Sequence, residues 1–405
     1  MGDPGDLRPS QMLRGVAIAK QFPNDAEPFR GSFTLEQLRA TVAEVDWQVI
    51  APIPWAPRWL AGALRRPYVT GAPTVDGMPV YRPRYPVLPR RLLYTTVAPA
   101  MAFASRGAFT HIVGSHRPQF VHAHGVYPSA SAARRLIGSS GTPLVVSVHG
   151  SDLRSNLVRP AWAREVRATL SSAAAVVCVS SHLAREVSAL GCVDPDRVVV
   201  VPNTFDVSRF DYVERAGHDG PTRLVSVGNL VPVKGHDVLL RAFSIAVRGG
   251  LDATLELVGG GVESERLKAI AVEEGIVDRV GFSGPLCDAD LVAALARADA
   301  FVLASRSEGF GVAIVEALAT GLPVLATRCG GPEDIVRPRD GLLVDADDVD
   351  AFAAGIVELV ASLPTRNRGA LANDVRERFS PAKVGAGLVS VYRSVVEGRA
   401  LPGGS

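Results

Sequence analysis

The chain has 405 residues, 47% of them hydrophobic, enough to bury more than one core and to suggest two or three domains. Its formal net charge of +2 gives no reason to expect nucleic acid as a partner. Four scattered cysteines (Cys178, Cys192, Cys287, Cys329) without CxxC spacing fit a reducing cytosol and argue against a disulfide framework or a structural zinc site. No signal peptide is read at the N-terminus, where Asp3, Pro4 and Asp6 precede any apolar run. No uncharged apolar window reaches the ~18 residues of a spanning helix. The expectation is a cytoplasmic protein, at most peripheral at the inner face of a membrane. Charge is uneven along the chain. Residues 1–205 hold 22 Arg and Lys against 13 Asp and Glu, whereas the remainder holds 21 against 28.

In chain order, short β-branched apolar runs alternate with helical patterns. The first series is "GVAIA" (15–19), "WQVIAP" (47–52), "FVHAH" (120–124), "LVVSVH" (144–149), "AVVCVS" (175–180) and "VVVVP" (198–202). Residues 52–95 interrupt it with nine prolines and the aromatics Trp55, Trp59, Tyr68, Tyr81, Tyr85 and Tyr94. This reads as an insertion or long loop. Residues 55–120 carry nine arginines and one acid, Asp76. The segment 55–94 is therefore either a solvated basic face or a surface that rests on an anionic membrane. After the polar connection 202–223 a second series follows: "RLVSVG" (223–228), "TLELVG" (254–259), "RVGFSG" (279–284), "AFVLAS" (300–305) and "PVLAT" (323–327). Continuous apolar strands alternating with helices predict an α/β protein with two doubly wound Rossmann-like domains. The expected division is 1–205, with 52–118 irregular, and 206–378. A helix at 379–398 is expected to cross back to the first domain, ahead of a disordered tail at 399–405.

Ligands of open parallel sheets bind beyond the carboxyl ends of strands, and the distinctive residues fall there. "SRSEGFG" (305–311) follows the strand 300–305 and leads into "VAIVEALATG". Such a turn brings backbone close to a ligand and offers helix N–H groups to a phosphate. It is also a common strand–turn–helix connection. Glu316, among Ala313, Ile314, Val315, Ala317 and Leu318, needs a partner if it is buried. Lys234 in "SVGNLVPVKGHDVLLRAF" stands in a loop leading to a helix, placed either for a phosphate or for solvent. "LVGGGVE" (257–263) lacks GxGxxG spacing and reads as a tight turn. His149 ends the strand at 144–149, the usual place for a functional side chain. His122, His124 and His149 lack HExxH spacing and a supporting Cys or Asp cluster, so no metal site is expected. No GxSxG elbow or GxxxxGK[ST] loop is present.

Four segments together resemble the family-four retaining glycosyltransferases of the GT-B fold: "HGSD" (149–152), "SSHLAREVSALG…VVVVPNTFDVSRF" (180–210), "VGNLVPVKGHDVLLRAF" (227–243) and "SRSEGFGVAIVEALATGLPVLATRCGGPEDIV" (305–336). The last joins two glutamates, Glu308 and Glu316, with seven residues between them, to a glycine turn and a trailing Gly-Gly-x-Glu. The resemblance runs from about residue 13 to 395 and is weakest across 52–118. It implies two domains facing across a cleft and transfer of a sugar from a nucleotide diphosphate sugar, with retention and without a metal or other cofactor. Carried over, Lys234 would clamp the diphosphate with amides around Gly311 and Val312. Glu308 and the backbone of Gly309 and Phe310 would meet the sugar, and Glu316 would accept hydrogen bonds from the ribose. His149 would lie near the reacting centre, Gly31 of "FPNDAEPFRGSF" would approach the donor phosphate, and the backbone at Phe282–Ser283 would hold the base. The acceptor, a sugar, a lipid-linked molecule or a small molecule, would lie on the first domain. This chain departs from the family in having Asn229 where an arginine is common, and Thr204 where a glycine is usual. Two alternatives stay open: a sugar-nucleotide-binding protein that has lost catalysis, and a sugar-nucleotide 2-epimerase on the same fold.

Overall fold

Runs such as "AVVC" and "LVVSV" carry no polar alternation, and every residue in them is buried, as expected of strands covered on both faces. The structure is a computed structural model that describes residues 12–402, except 25–26, 28–29, 56–72, 87–93, 139, 158, 213, 215–216 and 287. It divides into two units, residues 1–204 with 381–405 and residues 205–380.

The first unit contains β1 (Leu13–Ala19), β2 (Val45–Ile50), β3 (Ile53–Trp55), β4 (Thr74–Val75), β5 (Met78–Tyr81), β6 (Arg84–Pro86), β7 (Phe120–His124), β8 (Leu144–Val148), β9 (Ala175–Cys178) and β10 (Val198–Val200). Eight of them form one sheet in the order β10-β9-β8-β7-β1-β2-β5-β4. It is parallel apart from the β4–β5 hairpin. β3 and β6 pair separately. The second unit has β11 (Thr222–Val227), β12 (Ala253–Val258), β13 (Val280–Gly284), β14 (Ala300–Leu303), β15 (Val324–Arg328) and β16 (Gly341–Asp345), all parallel, in the order β13-β12-β11-β14-β15-β16. In each sheet the order reverses beside the first strand, between β1 and β7 and between β11 and β14. Connections on the two sides of such a point run to opposite faces and leave a crevice at the strands' carboxyl ends.

Three expectations need correction. Residues 52–95 are not simply a loop, because β5 extends the main sheet by pairing with β2. Tyr85 is fully buried, and Arg82 donates to the Pro23 carbonyl at 3.0 Å, so part of this aromatic and basic segment serves packing. Residues 56–72 and 87–93, on which most of the membrane reading falls, lie outside the described residues, and Trp55 is exposed. "GLLVD" forms the edge strand β16, unnoticed because it carries only three apolar side chains. The tail is ordered through Leu401, which packs on the first unit's core; residues 403–405 lie outside the described residues. Among the described residues no helix is long and apolar enough to cross a membrane.

The helix Pro381–Glu397 belongs to the first unit. Tyr392 stacks on Phe120 at 4.5 Å and meets Trp47 edge-on at 5.7 Å. Its hydroxyl lies 2.8 Å from His122 Nδ1, while Ser147 Oγ lies 2.8 Å from Nε2. Both nitrogens of a fully buried ring are thereby satisfied. Burial, with some repulsion from His149, lowers the His122 pKa to about 3, so the ring is neutral. Replacing Tyr392 with Phe leaves one buried imidazole nitrogen unpartnered. The expected loss is about 1–3 kcal/mol, read as a lower urea midpoint for the first unit.

Candidate functional site

In the second unit, the connections leaving β11 and β14 emerge side by side because those strands are neighbours at the reversal. The first carries Lys234 at the end of a 3₁₀ turn, Pro232–Lys234, and the second carries Glu308. Their side chains form an ion pair. Glu308 is nine-tenths buried, and its Oε1 also accepts from Ser305 Oγ at 2.8 Å. Its backbone is held by the next connection, with Glu308 N donating to the Cys329 carbonyl at 3.1 Å and Gly331 N to the Glu308 carbonyl at 3.0 Å. Gly235 makes the close approach of the loops possible. It adopts φ +62°, and a Cβ there would stand 1.9 Å from the Ala304 carbonyl oxygen.

A second ion pair staples the same two loops. The Arg306 guanidinium grips both oxygens of Asp237 at 3.0 and 3.1 Å, reaches Asp347 at 2.6 Å, and donates to the Pro232 carbonyl at 2.5 Å. Its backbone N donates to the Val233 carbonyl at 2.8 Å. Burial would raise the Asp237 carboxyl, but the Arg306 guanidinium outweighs it and holds the group below the usual range. With four of its five N–H donors so committed, Arg306 is poorly placed to replace the arginine missing at Asn229, which is exposed in the loop after β11.

The helix Val312–Ala319 starts behind Gly311, its N-cap. The amides of Val312 and Ala313 lie in the first turn, where no carbonyl four residues back can take them. The apolar face of the helix is buried, while Val312, Ala313 and Glu316 share the partly exposed face. Glu316 thus stands one turn from the free amides. Burial of its carboxyl pushes the pKa up to about 7 against the pull of Arg209. Gly309 bends ahead of the helix, whereas the Phe310 side chain turns into the core, edge-on to Phe379 at 5.4 Å. Phe282 lies in β13, paired with Leu257 and partly packed on the core, which leaves its backbone on the edge strand. The "LVGGG" loop serves packing. Leu230 N donates to Gly260 O at 3.0 Å and Glu263 N to Leu230 O at 2.9 Å, binding it to the loop of Asn229.

The first unit builds a separate site at its own reversal, where Ala19 of β1 registers with His124 of β7. A crevice of about 250 Å³ is lined by Lys20, Gln21, His124, Ser129, His149 and Asn156, among others. His124 and His149 stack at 5.9 Å, with Phe33 against His149 at 4.4 Å. None of the four ring nitrogens has a hydrogen-bond partner among the described residues. Burial lowers the His149 pKa to about 4, with Asp152 opposing, and holds His124 well below its ordinary value. Both rings are neutral at pH 7, each with one donor and one acceptor to offer. Asp152 aligns the two loops, accepting from Val126 N at 2.7 Å and His149 N at 3.1 Å. Gly31, with φ +69°, caps the helix Ser32–Arg39. A Cβ there would stand 2.3 Å from the Gln21 carbonyl oxygen, so the loop leading to Phe33 folds tightly beside the histidines.

Residues 70–209 match the family model described as Glycosyltransferase Family 4, and residues 209–372 that of Glycosyl transferases group 1. The chain is 30% identical over 286 residues to the GDP-mannose-dependent alpha-(1-6)-phosphatidylinositol monomannoside mannosyltransferase of Mycolicibacterium smegmatis, across 66% of this chain and 73% of the relative. It belongs to the family-four type of glycosyltransferase. The D-inositol 3-phosphate glycosyltransferase of Acidothermus cellulolyticus is also 30% identical, over 313 residues, 69% of this chain and 68% of that one. A sucrose-phosphate synthase structure from Thermosynechococcus elongatus covers 96% of this chain and all of its own, with TM-score 0.76 and 20% identity. That likeness shows the GT-B fold.

In this glycosyltransferase Lys234, Glu308, Gly309, Gly311, Val312 and Glu316 come together on the second unit, and Gly31 with His149 on the first. The parts played by Ser305, Arg306 and Asp237, the pairing of His124 with His149 and the aligning role of Asp152 escaped the sequence reading. Arg306 and Asp237 are 69 residues apart with no pattern to link them, whereas Asp152 stood inside a segment already singled out. Substituting Arg306 with Ala strips Asp237 of its bidentate partner. The expected cost is about 1–3 kcal/mol, seen as a lower unfolding midpoint, with Arg306→Lys recovering only part of it because an ammonium cannot bind both oxygens in a fork.

Proposed function

We propose that the chain is a retaining, metal-independent transferase that moves a sugar from a nucleotide diphosphate sugar to an acceptor hydroxyl, in polysaccharide, glycolipid or natural-product glycosylation. The observation that carries the reading is the convergence of Lys234, Glu308 and the free amides of the Val312–Ala319 helix at one strand-order reversal, with Glu316 one turn further on. Lys234 and the amides at Gly311 and Val312 supply positive charge for the leaving diphosphate, as electrostatic preorganisation requires. Glu308, with the backbone of Gly309 and Phe310, meets the sugar. Glu316 accepts the ribose hydroxyls, and the backbone at Phe282 holds the base. The carboxylates are committed to hydroxyl groups and the diphosphate is met by a lysine and amides, a division of labour that needs no bridging cation. Asn229 contributes a dipole where a charge is common, so leaving-group stabilisation leans more heavily on Lys234. The GDP-mannose dependence named for the mycobacterial relative supports a nucleotide sugar as donor. The crevice with the two neutral histidines suits a hydroxyl-rich acceptor.

Incubation with UDP-, GDP- and ADP-sugars is expected to give slow release of nucleoside diphosphate for one base, faster with acceptor and insensitive to chelator. Lys234→Ala should lower turnover by about 100-fold or more, the scale of losing one main charge-stabilising group. Proton NMR of the product should show the donor's anomeric configuration. Binding without turnover would favour the catalytically impaired alternative, and an epimerised donor without acceptor would favour the epimerase.

The Glu316 pKa near 7 gives a further expectation. Ribose hydroxyls donate to the ionised carboxylate, so bound nucleotide lowers that pKa. Binding near pH 7 therefore releases a fraction of a proton, and affinity rises from pH 6 to pH 8. Calorimetry in buffers of different ionisation enthalpy measures the release, and Glu316→Gln should abolish both effects.

A further inference from the structure

The two groups assigned above to different parts of the donor hold each other in the structure. Lys234 is spent on Glu308, and Glu308 is nine-tenths buried. Both bonds to its carboxyl converge on Oε1, from Lys234 and from Ser305. Its Oε2 accepts no hydrogen bond among the described residues. A buried carboxylate that loses its cation is costly unless other donors take over.

We infer that Glu308 is a specificity-determining residue that competes with the diphosphate for Lys234 and thereby favours a sugar-bearing nucleotide over the bare nucleoside diphosphate. The inference rests on the functional reading given above. A nucleoside diphosphate that takes Lys234 leaves Glu308 with only the Ser305 hydroxyl, and sets an anionic phosphate near an uncompensated carboxylate. A nucleotide sugar takes the same lysine but brings hydroxyl donors that reach the open Oε2, so the carboxylate exchanges one partner for others. After transfer those hydroxyls leave with the product. Glu308 then recaptures Lys234 and helps to expel the by-product. The ion pair is therefore a switch with two partners for each member, set by whether a sugar is attached to the phosphate.

The test is calorimetric titration of the full chain with UDP, GDP and ADP and with their glucose and mannose conjugates, for wild type and Glu308→Gln. For the base that binds, the wild type is expected to hold the sugar nucleotide ~10-fold or more tighter than its nucleoside diphosphate. In Glu308→Gln the nucleoside diphosphate should bind ~10-fold tighter than it does to wild type, which collapses the ratio. A wild-type ratio near one, or a ratio unchanged in the variant, overturns the inference while leaving the functional reading intact. Absence of binding by every nucleotide to a folded wild-type protein overturns both. Should Glu308→Gln fail to fold, monodeoxy sugar nucleotides on the wild type decide the matter. Removing the hydroxyl that reaches Oε2 should bring affinity down towards that of the nucleoside diphosphate, and full affinity for every monodeoxy donor refutes the idea.

Discussion

The strand-order reversal between β11 and β14 is the constraint from which the donor-side arrangement follows. Two neighbouring parallel strands, reached from opposite directions in the chain, send their carboxyl ends out together. Residues 74 positions apart, Lys234 and Glu308, are thereby delivered to one spot. Hydrogen bonding of the sheet, not affinity between the two side chains, does most of this work, because β11 and β14 are aligned through their backbones whatever their loops contain. The first unit repeats the device between β1 and β7, and there it gathers histidines in place of charges.

Given that geometry, the loops still have to be held in one conformation, and the chain does so with ionic groups that each have a partner. Arg306 and Asp237 close the two loops on each other without themselves reaching towards a ligand. Lys234 and Glu308 are less constrained, since each has partners that a ligand can replace. The difference is one of saturation. Arg306 is bound on several sides, whereas Glu308 keeps an oxygen open. In the first unit the same end is reached without an ion pair, because burial keeps His122, His124 and His149 neutral and the Asp152 carboxylate aligns the loops through backbone amides.

Much of the architecture was legible in the chain. Largely apolar runs such as 144–149 and 300–305 read as strands covered on both faces, and their alternation with helical segments gives the doubly wound form. Strands that escaped notice were those whose identity depends on a neighbour. β5 and β16 are short elements of mixed composition, ordered by pairing with β2 and β15. Tyr85 looked like a surface aromatic in a proline-rich stretch, yet it is fully buried.

The sequence by itself determined the residue types at the ends of the strands: a rare lysine after β11, a carboxylate before a glycine turn after β14, and a second carboxylate one helical turn beyond it. Those are local facts, readable because strand ends and helix starts carry local signals. The pairing of Lys234 with Glu308, the commitment of Arg306 to Asp237, the open oxygen on Glu308 and the raised pKa of Glu316 were decided by the tertiary structure. Partner choice and desolvation depend on what the sheet brings within a few ångströms, and no spacing along the chain encodes that distance.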